Sequence, residues 1–167
     1  MPIYARVVIA TALAAVLAAA TPSPAPEARA LAPAGSRQVL RADIDARTSV
    51  FAFAGPRSAA FVLRYARGRW RELPHGRVRI RELGPRAGAT YRDRVLQVAA
   101  EFSAPAKIVQ AGLWVDGRAV PGEPHGSPTR FTAYGATRRL ARGVHTAAAF
   151  AETGGAARAV VWSFRIR

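Results

Sequence analysis

Residues 159–167 read A-V-V-W-S-F-R-I-R, and this stretch decides the fold class of the chain. Large apolar side chains occupy every second position, namely Val160, Trp162, Phe164 and Ile166. Successive side chains of a β-strand point to opposite faces, so these four share one face. The stretch therefore predicts a strand that buries one face and exposes the other.

Segments of the same kind, separated by turn-forming residues, extend back to about residue 77. The predicted strands are residues 77–83, 95–102, 108–116, 118–120, 130–134, 144–151 and 159–167. Asp116-Gly117 and Gly154-Gly155 are hairpin signals between neighbouring strands, and the Pro- and Gly-rich residues 121–128 predict a loop. About seven short strands within ~90 residues are typical of an all-β sandwich of two sheets.

Five motifs of this region resemble bacterial immunoglobulin-like domains, the extracellular modules of surface proteins and secreted enzymes. The motifs are G-P-R-A-G-A (84–89), V-x-A-x-F-S (98–103), L-W-V-D-G-R-A-V (113–120), R-L-A-R-G-V-H-T (139–146) and V-W-S-F-R-I (161–166). The resemblance covers about residues 77–167. It implies an immunoglobulin-like β-sandwich that serves binding or spacing rather than turnover.

The resemblance also implies roles for single residues. Leu140, Gly143 and His145 match a corner that enters the penultimate strand, so we expect them to be architectural. Members of the family usually carry an Asp in the region of Glu152, before a Gly-Asn turn. Here Glu152 precedes Gly154-Gly155, and the likeness does not extend to a calcium-like loop.

The amino terminus has the pattern of a secretory signal peptide over residues 1–30. Arg6 supplies a positive charge, and residues 7–20 form an apolar or small stretch that is too short for the ~20 residues of a membrane-spanning helix. Small residues at 18–20 and at 28–30 each form a cleavage site, and the sequence does not decide between them. We expect a secreted or envelope-associated chain with no transmembrane span after the signal is removed.

Between the signal and the sandwich the sequence changes character twice. Residues 21–36 contain four prolines among small residues, which predicts a mobile tether. If cleavage follows Ala30, the tether of the mature chain is residues 31–37. Residues 38–75 predict an uncertain β-rich arm before the sandwich at 76–167. Within the arm, 50–54 alternate as a strand, and 59–71 suit a strand or a short helix, of which we favour the strand.

The chain is strongly basic, with a formal net charge of +15 and Lys107 as its only lysine. Two runs place arginine at every second residue: Arg67, Arg69 and Arg71, then Arg77, Arg79 and Arg81. On extended strands each run presents guanidinium groups ~6.6 to 6.8 Å apart, able to bind phosphate, sulfate or carboxylate groups. These six arginines are the predicted anion-binding residues. The alternative is an ordinary solvated strand face, in a protein whose high arginine content reflects a GC-rich genome.

Residues that carry catalysis or bind cofactors are scarce. The chain has no cysteine, its three histidines are isolated, its acidic residues form no paired motif, and no serine lies in a G-x-S-x-G context. We therefore predict no catalytic residue, metal site or cofactor. Trp114, opposite Leu113 and Val115 on its strand, is either an exposed ring for stacking a sugar or an ordinary half-exposed edge tryptophan.

Together these features predict a secreted, basic immunoglobulin-like module for binding or spacing at the cell envelope. Its expected partner is an anionic cell-wall polymer or another envelope protein. No motif for specific nucleic-acid recognition is present. The alternative function is a small secreted enzyme or enzyme inhibitor on a β-sandwich scaffold.

Overall fold

The computed structural model describes residues 25–55 and 60–167, and this part of the chain is all-β apart from one short helix, α1 (Ala25–Leu31). Its strands form three sheets, which we name by position. The amino-terminal sheet has the order β1-β2-β3-β4. Its strands are β1 (Arg37–Asp45), β2 (Thr48–Ala54), β3 (Phe61–Ala66) and β4 (Arg69–Glu72). The all-β prediction is confirmed.

The middle sheet has the order β6-β13-β12-β8-β9, and the outer sheet has the order β10-β11-β7-β5. The strands of the middle sheet are β6 (Thr90–Tyr91), β8 (Gln110–Val115), β9 (Arg118–Val120), β12 (Gly143–Glu152) and β13 (Ala157–Ile166). Those of the outer sheet are β5 (Arg79–Gly84), β7 (Gln97–Ser103), β10 (Glu123–Ser127) and β11 (Arg130–Ala136). Neighbouring strands are antiparallel except β6 and β13, which pair in parallel.

The three sheets stack as layers around two cores. The first core lies between the middle and outer sheets and contains Phe102, Trp162 and Phe164, as the alternation of β13 predicts. The second lies between the middle and amino-terminal sheets and contains Trp114 and Phe150. Both faces of the middle sheet are therefore buried, and this sheet forms the inside of the molecule.

The amino-terminal sheet is covered on its far side by α1. Ala28 of the helix is fully buried against Phe51, Phe53 and Leu63, and the Trp70 indole N–H donates to a Glu27 carboxylate oxygen at 3.1 Å. Within the described residues, the helix and the following turn stand in place of the predicted tether. Residues 21–24 of that prediction lie outside the described part of the chain. Proline is tolerated in the first turn of a helix, and alanine and leucine are good helix formers.

The described part of the segment predicted at 59–71 is a hairpin rather than one strand. Strands β3 and β4 are joined by Arg67 and Gly68, both in the left-handed region with φ of 51° and 79°. Two successive residues with positive φ suit the right-handed twist of a tight hairpin. Residues 56–59, the start of the predicted segment included, lie outside the described residues.

The sequence missed three strands. Strand β10 lies within the predicted loop at 121–128, where Pro124 breaks the strand pattern. An edge strand tolerates proline because one row of its backbone groups has no neighbour. Strand β6 has only two residues, and β1 lies within the arm that the sequence left uncertain.

The predicted signal peptide lies largely outside the described residues, including Arg6, the apolar stretch and the cleavage site at 18–20. In the part of the chain that the structure covers, no helix has the length and apolar character needed to cross a membrane.

Candidate functional site

The six predicted anion-binding arginines lie on two different sheets. All six side chains are exposed. Arg67 lies in the β3–β4 turn and Arg77 lies in a turn before β5, so neither belongs to a strand. Arg69 and Arg71 alternate along β4 of the amino-terminal sheet, and Arg79 and Arg81 alternate along β5 of the outer sheet. The two runs therefore do not form one surface.

Two arginines that the sequence did not select join the second run. Arg130, on β11, lies in register with Ser103 of β7, and Ser103 lies in register with Arg79 of β5. Arg158, on β13 of the middle sheet, borders the same surface. Four arginines from three strands thus line one groove with a volume of about 490 Å³, which we call the arginine groove.

One carboxylate, Glu101, lies in the arginine groove between two of these arginines. Arg81 donates Nε to Glu101 Oε2 at 2.9 Å and also donates Nη2 to that oxygen. Arg130 donates Nε and Nη2 to Glu101 Oε1, at 2.9 and 2.7 Å. These hydrogen bonds, from Arg130 first and then Arg81, hold the pKa of Glu101 below its ordinary value.

Glu101 therefore fixes two guanidinium groups without neutralising the groove. Four arginines and one carboxylate leave a net charge of +3 on its lining. Among the described residues, the Arg79 guanidinium has no hydrogen-bond or ion-pair partner, and Arg158 Nε is buried without a partner. The groove is open to solvent, strongly positive, and has free donors.

An aromatic pair lies on the same face of the outer sheet. His125 of β10 and Tyr134 of β11 stack with their planes 3° apart and their ring centroids 4.8 Å apart. Both side chains are exposed. The pair extends the polar face beyond the arginine groove with a flat, partly apolar surface.

Trp114 does not lie on the surface. Its indole is 6% exposed and packs edge-on against Phe150, with centroids 6.3 Å apart. The side chain does point away from Leu113 and Val115, as the sequence predicts, but the amino-terminal sheet covers that face. Both an exposed sugar-stacking ring and a half-exposed edge tryptophan are therefore wrong for this residue.

His145 is held at the start of β12 by hydrogen bonds on both ring nitrogens. Nδ1 lies 2.7 Å from Asp116 Oδ2, and Nε2 lies 2.9 Å from the carbonyl oxygen of Ala141. Burial alone lowers its pKa, but the Asp116 hydrogen bond and the Ala141 carbonyl outweigh that effect, so the pKa is raised. The ring links a hairpin turn to a strand and is 6% exposed.

Glu152 forms a buried ion pair between two layers. Arg64 Nη1 of β3 donates to Glu152 Oε1 of β12 at 2.8 Å, and the Glu152 side chain is 2% exposed. Burial raises the pKa of Glu152, partly offset by the charge of Arg64. This carboxylate therefore contacts an arginine of the amino-terminal sheet and links β12 to that sheet.

Groups of metal-ligating side chains do not occur in the described part of the chain: no three His, Cys, Asp or Glu side chains come together there. No protein-family model matches the sequence, and a search of curated proteins finds no match. The arginine groove, where four arginines and one carboxylate meet, is therefore the candidate functional site. Its members Glu101, Ser103, Arg130 and Arg158 are missed by sequence patterns because strand register brings them together.

Proposed function

We propose that this chain is a secreted immunoglobulin-like module that binds anionic polymers of the cell envelope through the arginine groove. The observation that carries the proposal is the convergence of four arginines from three strands on one exposed groove with a single carboxylate. Guanidinium groups bind phosphate, sulfate and carboxylate with two parallel hydrogen bonds. The net charge of +15 adds a long-range attraction to such polymers.

The strand order supports the immunoglobulin-like part of the proposal. In immunoglobulin sandwiches, strands A, B, E and D form one sheet and strands G, F and C form the other. With β5 as A, β7 as B and β8 as C, followed by β10 to β13 as D to G, the outer sheet has the order D-E-B-A. The middle sheet then contains the order G-F-C, with β6 and β9 as additional strands at its two edges. The amino-terminal sheet is then an addition that packs on the G-F-C sheet.

The corner at His145 supports the same assignment. Immunoglobulin domains often place a tyrosine near the start of strand F, where its hydroxyl bonds to backbone a few residues upstream. Here His145 lies near the start of β12 and bonds to the Ala141 carbonyl. Leu140 exchanges hydrogen bonds with Arg94: its N–H donates to the Arg94 carbonyl, and its own carbonyl accepts from Arg94 Nε.

The test is retention of the chain from Thr21 on immobilised teichoic acid or heparin across a salt gradient. We expect strong retention at physiological salt and a linear fall of log K with log salt, because each bound arginine releases counterions. The double variant Arg79→Ser/Arg158→Ser should elute earlier and reduce the slope by about 1 to 2.

The matched control is Arg69→Ser/Arg71→Ser, which removes the same charge from exposed positions on β4. It should keep nearly all of the wild-type slope. Equal losses in the two variants would reject the groove as the binding site. Elution of the wild type below ~0.2 M salt would reject polymer binding itself.

A further inference from the structure

We infer that the arginine groove contains a discrete seat for one phosphate or sulfate group, centred on Ser103 between Arg79 and Arg130. This inference rests on the proposed function and makes it more specific. It replaces a diffuse positive surface with a site that has a centre, a set of donors and a preferred ligand geometry.

Strand register defines the seat. Arg79 and Arg130 are the direct neighbours of Ser103 on the two flanking strands, β5 and β11. Adjacent strands lie about 4.8 Å apart, so the two arginine backbones are about 10 Å apart with the Ser103 hydroxyl midway. Directly opposed residues share one face of a sheet, and all three side chains therefore rise from the outer face.

The row formed by Arg79, Ser103 and Arg130 has hydrogen-bond donors that are free to bind a ligand. Among the described residues, neither the Arg79 guanidinium nor the Ser103 hydroxyl has a hydrogen-bond partner. Arg130 gives Nε and Nη2 to Glu101, which leaves Nη1 without a partner in that same part of the chain. Arg158 borders the row from the middle sheet and adds a fourth cation.

Glu101 acts here as a positioning residue. It lies one row away, in register with Arg81 and Thr132. By holding Nε and Nη2 of Arg130, it restricts that long side chain before a ligand arrives, which reduces the entropy lost on binding. Its own charge disfavours a ligand that spreads into the next row.

The donor arrangement favours a tetrahedral oxyanion over a carboxylate. Both oxygens of a carboxylate are satisfied by two guanidinium groups, as Glu101 itself shows. A terminal phosphate or sulfate group presents three outward oxygens, which can accept separately from Arg79, Ser103 and Arg130. We therefore expect polymers that carry terminal phosphate or sulfate groups to bind more tightly than polycarboxylates of equal charge.

The experiment changes the seat without changing any charge. Ser103→Leu fills it, Ser103→Ala removes the hydroxyl, and Thr132→Val is the control on the same face one row away. The probes are tripolyphosphate, a sulfated heparin disaccharide and a short polyglutamate. Each is titrated while the NMR signal of the backbone amide of residue 103 is followed, in the wild type and in the variants. Circular dichroism and the thermal midpoint establish that each variant is folded.

Tripolyphosphate or the sulfated disaccharide should bind about tenfold more weakly to Ser103→Leu and several-fold more weakly to Ser103→Ala, with no change for Thr132→Val. Whichever of the two probes shows the larger loss identifies the source of the oxyanion. The slope of log K against log salt should stay at the wild-type value, because no cation is lost.

Wild-type affinity in folded Ser103→Leu, with weakened binding in Arg79→Ser/Arg158→Ser, would overturn the seat and leave the proposed function standing. Polyglutamate that binds as tightly as tripolyphosphate, with the same response to Ser103→Leu, would overturn the oxyanion preference. A wild-type chain that retains no anionic polymer would overturn the proposed function and the seat with it.

Discussion

The environment of His145 makes protonation part of its structural role. Both ring nitrogens face oxygen acceptors, the Asp116 carboxylate and the Ala141 carbonyl, so both are satisfied only when both carry a proton. Asp116 also accepts from the Thr146 N–H at 2.9 Å, which fixes the carboxylate in place. The imidazolium therefore completes a network that connects the β8–β9 turn to β12.

This network predicts a pH dependence of stability. The folded-state pKa of His145 is raised above 6.5, so its contribution is fully present below pH 6.5 and is lost as the pH rises through the folded value. We expect the free energy of unfolding, measured with urea, to fall over that window in the wild type. In His145→Gln this fall should be missing, whereas the exposed His125→Gln should keep it. An identical pH profile in wild type and His145→Gln would contradict the prediction.

The buried pair of Arg64 and Glu152 predicts an asymmetry between two substitutions. Removing Arg64 leaves a carboxylate that is 2% exposed without its partner, whereas Arg64 is one-third exposed and can be solvated without Glu152. Arg64→Met should therefore cost about 3 kcal/mol at neutral pH, the lower end of the range for a broken buried pair. Glu152→Gln should cost much less. Urea unfolding of both variants and of the double variant measures the difference; equal losses would contradict it.

At the scale of elements, helix α1 covers an aromatic face that no other described element covers. Phe51, Phe53 and Leu63 point away from the middle sheet and pack under Ala28. A chain that begins at Leu31 exposes this face, and each Å² of apolar surface that becomes exposed costs roughly 25 cal/mol. We expect it to unfold at lower urea than a chain that begins at Thr21 and to bind a hydrophobic dye. Coincident unfolding curves would contradict this role of the helix.

The same helix favours one of the two cleavage sites. Cleavage after Ala30 removes nearly all of α1, whereas cleavage after Ala20 leaves it intact. If the chain is exported with removal of a signal peptide, as we propose, its intact mass should correspond to a start at Thr21. A start at Leu31 would contradict this prediction, and an unprocessed chain would contradict the proposed signal peptide.

Strands could be predicted from sequence where one face is buried and turns are marked by glycine. Strand β9 has the predicted ends, and β12 is one residue longer than predicted at each end. Strand β13 begins two residues before its predicted start and ends one residue before its predicted end. Strand β10 could not be predicted because Pro124 and Gly126 read as loop, and only pairing with β11 keeps it extended. Arg67 was predicted to lie in a strand rather than in a turn because arginine rarely takes a positive φ.

For the whole molecule, the three-layer arrangement is the part that local patterns did not predict. Strand β12 is buried on both faces from Ala147 to Glu152, and a strand buried on both faces reads as a continuous apolar run. The sequence of β12 does contain such a run, but most of its residues are alanine, which also occurs in helices and tethers. The run therefore did not identify a strand that is buried on both faces. The arginine groove needs the register of β5, β7 and β11 and the packing of β13, which are all long-range.

Substitution of Trp114 distinguishes a buried residue between two sheets from the exposed sugar-stacking residue that the sequence allowed. Replacing a buried tryptophan by alanine leaves a cavity, so Trp114→Ala should destabilise the fold by about 3 to 5 kcal/mol. Retention on anionic polymers should be unchanged at temperatures where the variant is folded. Weakened polymer binding at unchanged stability would contradict the buried position.

The helix and the arginine groove belong to opposite outer layers of the stack. Packed sheets lie about 10 Å apart and a helix adds a similar thickness, so about 30 Å of protein separates the two surfaces. A fluorophore attached at the exposed Ala30 would therefore face solvent when the molecule adsorbs through the arginine groove. Labelling or surface immobilisation from that end leaves the arginine groove free, which makes this the better orientation for a biosensor chip.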